Sequence, residues 1–240
     1  MKQRTTPSIL LAAGILLIGT TFLFSCAKNN DAAPVDAVDE EEVAEAVTQA
    51  VSANSGGVAV TASDAAIMTT NYSAMCGMSK DTAIAHSSIA GAVVTYHADA
   101  QWHWMLTCAP AARFDFALTS HLSYDAPRMS SNDSLSATLA VTGLEPAAPN
   151  YTMNMSLTRK GSQASKILRK HSFTSTIIVT GTNIAVSKTT YLVQSGTASV
   201  TISGATSGGR SFQYAGTLVF TGNKTATLTF ASGATYNIQW

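Results

Sequence analysis

The chain has 240 residues and a formal charge of 0, with 12% charged residues and 46% apolar ones. That charge content is about half the ~25% typical of soluble domains, and Ser, Thr and Gly fill the gap. A neutral chain without a basic stripe gives no electrostatic reason to expect nucleic acid, and its length suits one domain with a sizeable core, or two small ones.

Lys2 and Arg4 precede an apolar run from Ile9 to Phe24, broken only by Gly14, Gly19, Thr20 and Thr21. The run is shorter than the ~20 residues a membrane-spanning helix needs. It reads as a signal peptide over residues 1–25. The run ends Leu23-Phe24-Ser25-Cys26. This tetrad resembles the lipobox of bacterial lipoproteins: an aliphatic residue, a small residue before the cysteine, then the cysteine itself. Phe24 is bulkier than the commonest residue at its position. The resemblance implies a thioether-linked diacylglycerol on Cys26, cleavage before it and acylation, as by palmitate, of the new amino group. Several acyl chains, at ~0.8 kcal/mol per buried CH₂, hold a protein on a membrane. Ala27 stands where inner-membrane lipoproteins often carry Asp, so the resemblance favours the outer membrane of the cell envelope. Removing the first 25 of 240 residues leaves 215, and losing Lys2 and Arg4 takes the formal charge from 0 to −2.

Residues 26–35, with the stretch Lys28 to Pro34, read as a flexible tether. Residues 36–57 carry helical period: Val38, Val43, Val47, Ala50 and Val51 recur at three- and four-residue steps. Asp36 is the expected cap, the acids 39–42 suit the first turns, and Asn54-Ser55-Gly56-Gly57 suits a stop.

From Val58 to Trp240 the expectation is an antiparallel β domain. Phe114-Phe116-Leu118-Leu122-Tyr124, Leu135-Ala137-Leu139-Val141, Tyr151-Met153-Met155-Leu157 and Phe173-Ile177-Val179 alternate with polar residues. So do Ala198-Val200-Ile202, Phe212-Tyr214-Leu218-Phe220, Ala226-Leu228-Phe230 and Tyr236-Ile238-Trp240. Each run is apolar on one face and rich in Ser and Thr on the other, and Gly- or Asn-containing turns join the last of them. About nine or ten strands are expected. The fold class is mainly β: a meander closing into a barrel, half-barrel or sandwich, preceded by one short amphipathic helix.

Cys76 and Cys108 form an even pair in an exported chain, which favours a disulfide. His97, Asp99, Gln101 and His103 share one side if the strand around them is continuous, but Ala98 to Gln101 can also be a turn. Two imidazoles and a carboxylate suit a transition metal, yet positions two apart more often form a plain polar face, so no metal or cofactor is expected. Trp102 and Trp104 alternate with His103; with Tyr96 they can line a ligand groove, although core packing is the commoner use of such residues. Arg159, Lys160, Lys166, Arg169, Lys170 and His171 gather in one connection that suits lipid phosphates or a solvated loop. Asp81-Thr82-Ala83 and Asp133-Ser134-Leu135 resemble the short acceptor sequence for O-linked glycans in some Gram-negative groups.

No serine-nucleophile elbow, phosphate-binding glycine loop, zinc-protease motif or paired-cysteine motif is present, so no catalytic residue is named and no enzyme is expected. The whole chain resembles small envelope lipoproteins built as tether, helix and Thr-rich β domain, a set that implies no particular activity. The expected function is that of a lipid-anchored, non-catalytic envelope protein. It would meet the membrane through Cys26 and bind a protein, glycan or surface polymer. The alternative is a carrier enclosing an apolar ligand or lipid within the β domain.

Overall fold

The computed structural model describes residues 37–240. The signal peptide, Cys26, the tether and Asp36 lie outside the described residues.

Two helices come first: α1 (Glu40–Val51) and α2 (Val58–Tyr72), joined through a short 3-10 turn at Ala53–Ser55. Ten strands follow: β1 (Ser79–Ser87), β2 (Thr95–Thr107), β3 (Arg113–Asp125), β4 (Met129–Thr142), β5 (Asn150–Ser165), β6 (Ser172–Ser187), β7 (Val193–Thr206), β8 (Ser211–Gly222), β9 (Thr225–Phe230) and β10 (Thr235–Gln239). They pair in chain order in one sheet, every pairing antiparallel. β1 and β10 stand at opposite edges, so the sheet is an open half-barrel.

The alternating runs seen in the sequence become its concave face. Phe114, Val141, Met153, Leu157, Val179, Ile202, Leu218 and Leu228 are fully or almost fully buried, and their sequence neighbours face outward. Irregularities in the β5–β6 and β6–β7 ladders interrupt the register at Met153/Met155 and Thr182/Ala185. Such bulges bend a sheet and increase its twist.

Two sequence expectations need correction. The helix is capped by Asp39, not Asp36, and ends at Val51, short of Gly57. More substantially, residues 58–72 are helical, not the first part of the β domain. Ala59, Ala62, Ala65 and Ala66 give the segment strong helix propensity. Thr61 and Thr69, poor formers in isolation, return their hydroxyls to Gly57 O (3.1 Å) and Ala65 O (2.7 Å). The chain reverses between the helices through Gly56, at φ +73°, and Gly57, where a Cβ would stand 2.4 Å from Ala50 O.

The helix pair fills the concavity. Val43, Val47, Ala50 and Val51 of α1 and Val58, Ala62, Ala65 and Ala66 of α2 have no exposed surface. Contacts from the pair reach across the sheet. Asp64 meets His86 on β1 (2.8 Å), Thr70 meets Tyr151 on β5 (2.9 Å), and Tyr214 on β8 donates to Val38 O (3.1 Å), just ahead of α1. One pair of helices touches strands so far apart in the order because the sheet curls around it.

Cys76 and Cys108 form a disulfide across 32 residues of chain. It fastens the approach to β1 against the end of β2. In the chain-entropy account a loop of that size contributes about 4 kcal/mol.

Candidate functional site

β2 runs unbroken from Thr95 to Thr107, so His97, Asp99, Gln101 and His103 do share one side, the convex outer face. They do not converge. His97 to His103 spans six residues, ~20 Å along a strand. Each imidazole takes its own partner: His97 Nε2 meets Asp99 Oδ2 at 3.0 Å, and His103 Nδ1 meets Asp81 Oδ1 at 2.8 Å. The other nitrogen of His97 lies 2.9 Å from Ser87 Oγ. This Ser–His–Asp string lies on exposed, regular strands, unlike the sharp turn that presents a serine nucleophile.

Among the described residues the cluster with metal-ligand proximity is elsewhere: Asp39, Glu42 and His171, with ligand atoms within 4.8 Å of one another. Asp39 and Glu42 form a capping box at the start of α1. Glu42 is fully buried and accepts from Asp39 N (3.3 Å), His171 N (3.2 Å) and His171 Nδ1 (2.6 Å). Burial alone would raise the Glu42 carboxyl. The hydrogen bonds from His171 and Ser165 outweigh it and hold the pKa below the ordinary value. A helix N-terminus disfavours a cation, and this carboxylate already has its donors, so the cluster anchors α1 to the segment before β6.

Trp102 and Trp104 point inward and are buried. Trp104 stacks on Tyr72 of α2 at 4.8 Å and meets Phe114 edge-on, while Trp102 meets Phe116 edge-on. They belong to the core. Tyr96 is half-buried beside the β1–β2 loop, where it lines a shallow depression with Ile89, Val93 and Val94. Burial, with the Asp64 carboxylate nearby, raises the Tyr96 pKa. The concave face, where an apolar ligand would sit, is occupied by α1 and α2.

The basic connection disperses. Arg159 is buried, with Nε 2.6 Å from Asp133 Oδ2, Nη1 donating to Gln49 O (3.0 Å) and Ser55 O (3.3 Å), and the Tyr124 ring 4.9 Å from its Cζ. Lys166 pairs with Asp125, Arg169 approaches Asp39 at 3.9 Å, and His171 bonds Glu42. Lys160 alone of the residues on β5 projects its charge from the outer face. Of the two acceptor-like tripeptides, Thr82 has its hydroxyl buried, while Ser134 lies on the outer face.

That outer face holds the most developed polar site. The register sets Asp99 beside His121, His121 beside Ser134, and Ser134 beside Lys160; one step along, Gln101 lies beside Thr119, then Ser136, then Thr158. Short hydroxyl side chains form a floor between the longer Asp99, Gln101, His121 and Lys160. The result is a groove of about 670 Å³ open to solvent. Beyond it a rank of hydroxyls crosses seven strands in register: Thr138, Ser156, Thr180, Ser199, Thr217, Thr229 and Thr235. Adjacent strands space such a rank at ~4.8 Å. No family model, curated protein or solved structure matches the chain. The site's chemistry must therefore be read from its own geometry. It offers hydrogen-bond donors and acceptors in quantity, with Asp99 and Lys160 at its rim.

Sequence alternation identifies His97, Asp99 and Gln101 as outward-facing, but it does not reveal that His121, Ser134 and Lys160 lie beside them. Those neighbours depend on register, which the turns between β2 and β5 set only in three dimensions.

Proposed function

We propose that this protein is a lipid-anchored, non-catalytic component of the cell envelope that binds a neutral glycan or hydroxyl-rich surface polymer on the convex face of its sheet. The observation that carries the reading is the groove between β2 and β5, with its Ser and Thr floor and its rim of Asp99, Gln101, His121 and Lys160. Sugars offer hydroxyls that donate and accept at once, and a surface of Ser, Thr, amide and single charged groups answers both roles. The hydroxyl rank from β4 to β10 extends that surface in the direction a polymer would run. A lipid on Cys26 would keep the domain at the membrane while the polymer lies outside it.

The test is titration calorimetry against a panel of neutral oligosaccharides, with the unchanged protein compared to Lys160→Ala and Ser136→Trp. Both positions are exposed, so the fold is retained. A hydrogen bond to a charged group contributes about 1.5–3 kcal/mol, so Lys160→Ala weakens binding roughly tenfold or more. Ser136→Trp fills the floor and abolishes binding. No heat of binding with any member of the panel, or unchanged affinity in both variants, overturns the proposal.

A further inference from the structure

β1 has one neighbour, β2, and its other side is a sheet edge. Ser88 N donates to Tyr96 O at 2.9 Å and Leu106 N donates to Met78 O at 3.0 Å. In that antiparallel register the even-numbered residues of β1 bond β2, while the backbone groups of Asp81, Ala83 and Ala85 point away from the sheet. An outward-facing row of this kind is a template for another strand.

Apolar exposure is concentrated at the same edge. Among the described residues, Ile89 (81% exposed), Val93 (79%), Met78 (49%), Met105 (45%) and Met75 (38%) lie before, beside or after β1. The opposite edge, β10, has five residues against nine, and none of the large exposed apolar side chains lies on it or its turn. The Cys76–Cys108 disulfide fastens β1 at its start, so the edge is presented in a fixed conformation. Preorganisation lowers the ordering cost of association.

We propose that β1 is a dimerisation edge, at which two copies of this chain pair antiparallel about Ala83 and join their sheets. The distribution along the strand selects a second copy over an unrelated strand. Antiparallel pairing about Ala83 sets Ser79 opposite Ser87 of the second copy. It therefore brings Met75 and Met78 of one chain to Ile89 and Val93 of the other, and does so twice, as an isologous interface requires. Asp81 falls opposite Ala85, so no two carboxylates face one another. Lys80 falls opposite His86, whose charge Asp64 already answers at 2.8 Å.

The experiment uses the full chain extracted in detergent, with its disulfide intact, followed by sedimentation and non-reducing electrophoresis. The unchanged protein sediments as a particle of two chains. Directly opposed Cα atoms in a hydrogen-bonded antiparallel pair stand ~5.5 Å apart, within disulfide range, so Ala83→Cys cross-links two chains. Asp81→Cys does not, because its self-pair is four residues out of register. Ala83→Pro removes an N–H that serves no bond within the sheet, so it yields a folded single chain. Val93→Asp, at a highly exposed position, weakens the dimer at least tenfold and keeps the test valid should the proline variant misfold. A single chain at all micromolar concentrations, a dimer unaffected by both Ala83→Pro and Val93→Asp, or cross-linking by Asp81→Cys in place of Ala83→Cys overturns the proposal.

Discussion

Replacing Arg159 with Ala isolates the contribution of the buried polar contacts between helices and sheet. Arg159 and Asp133 are 2% and 0% exposed at their side chains, and their contact is 2.6 Å. Gly161 makes room for them: a Cβ there would stand 1.8 Å from Asp133 Oδ1. Removing the guanidinium leaves the Asp133 carboxylate enclosed, with Gln163 Nε2 at 3.0 Å and the Ser131 hydroxyl as its remaining donors. It also strips a cationic donor from Gln49 O and Ser55 O, where α1 ends and the chain turns toward α2. Breaking a buried pair from one side typically costs about 3–5 kcal/mol. At ~2–4 °C per kcal/mol for a body of this size, a loss near 4 kcal/mol lowers Tm by about 8–16 °C. Urea unfolding followed by circular dichroism and by tryptophan fluorescence measures the loss, since Trp102 and Trp104 are buried. Asp133→Ala produces a loss of the same order. The double variant Asp133→Leu with Arg159→Met recovers most of the stability, because an apolar pair of similar volume removes the stranded charge. A loss below about 1 kcal/mol in either single variant, or a double variant as unstable as the sum of the two, refutes this account of the pair.

Two other outcomes are expected. The Asp64 carboxylate raises the His86 pKa, chiefly through their hydrogen bond, with burial acting in the opposite direction. A raised folded-state value means that the stabilisation is fully present below the ordinary histidine pKa of about 6.5 and is lost as pH rises through the folded value. In an NMR titration Asp64→Asn therefore moves the His86 midpoint downward; an unchanged midpoint would show that the contact does not govern its protonation. If Cys26 carries the lipid, Cys26→Ala leaves the leader uncleaved or releases the protein from detergent-soluble membrane fractions. Normal maturation and retention in that variant would exclude the lipoprotein reading.

The strands were legible because one physical constraint governs them. Each has a single buried face, so Phe114 to Tyr124, Leu135 to Val141 and Tyr151 to Leu157 had to alternate, and no other period accommodates them. Asp133, Arg159 and Gln163 break that rule on the concave face, where alternation would place apolar residues. The break is understandable only once α1 is in place, because Arg159 answers the carbonyls that the end of this helix leaves open. The same dependence explains the misreading of residues 58–72. A helix whose apolar side chains all lie on its buried side shows an apolar stripe, as α1 does with Val43, Val47, Ala50 and Val51. α2 buries Val58, Ala59, Ala62, Ala65, Ala66 and Met68 on one side, but Thr61, Asp64 and Thr69 are buried with them while Val60 and Ile67 lie on the outer side, so no clean stripe shows in the sequence. Val58-Ala59-Val60 then reads as the start of a strand. The choice among barrel, half-barrel and sandwich was open for that reason. A sheet with one apolar face must cover it with its own far strands, with a second sheet or with something else. The segment that covers it here was the segment whose helical character the sequence concealed. Once α2 is a helix, the sheet has no need to close on itself, and its two edge strands are left free.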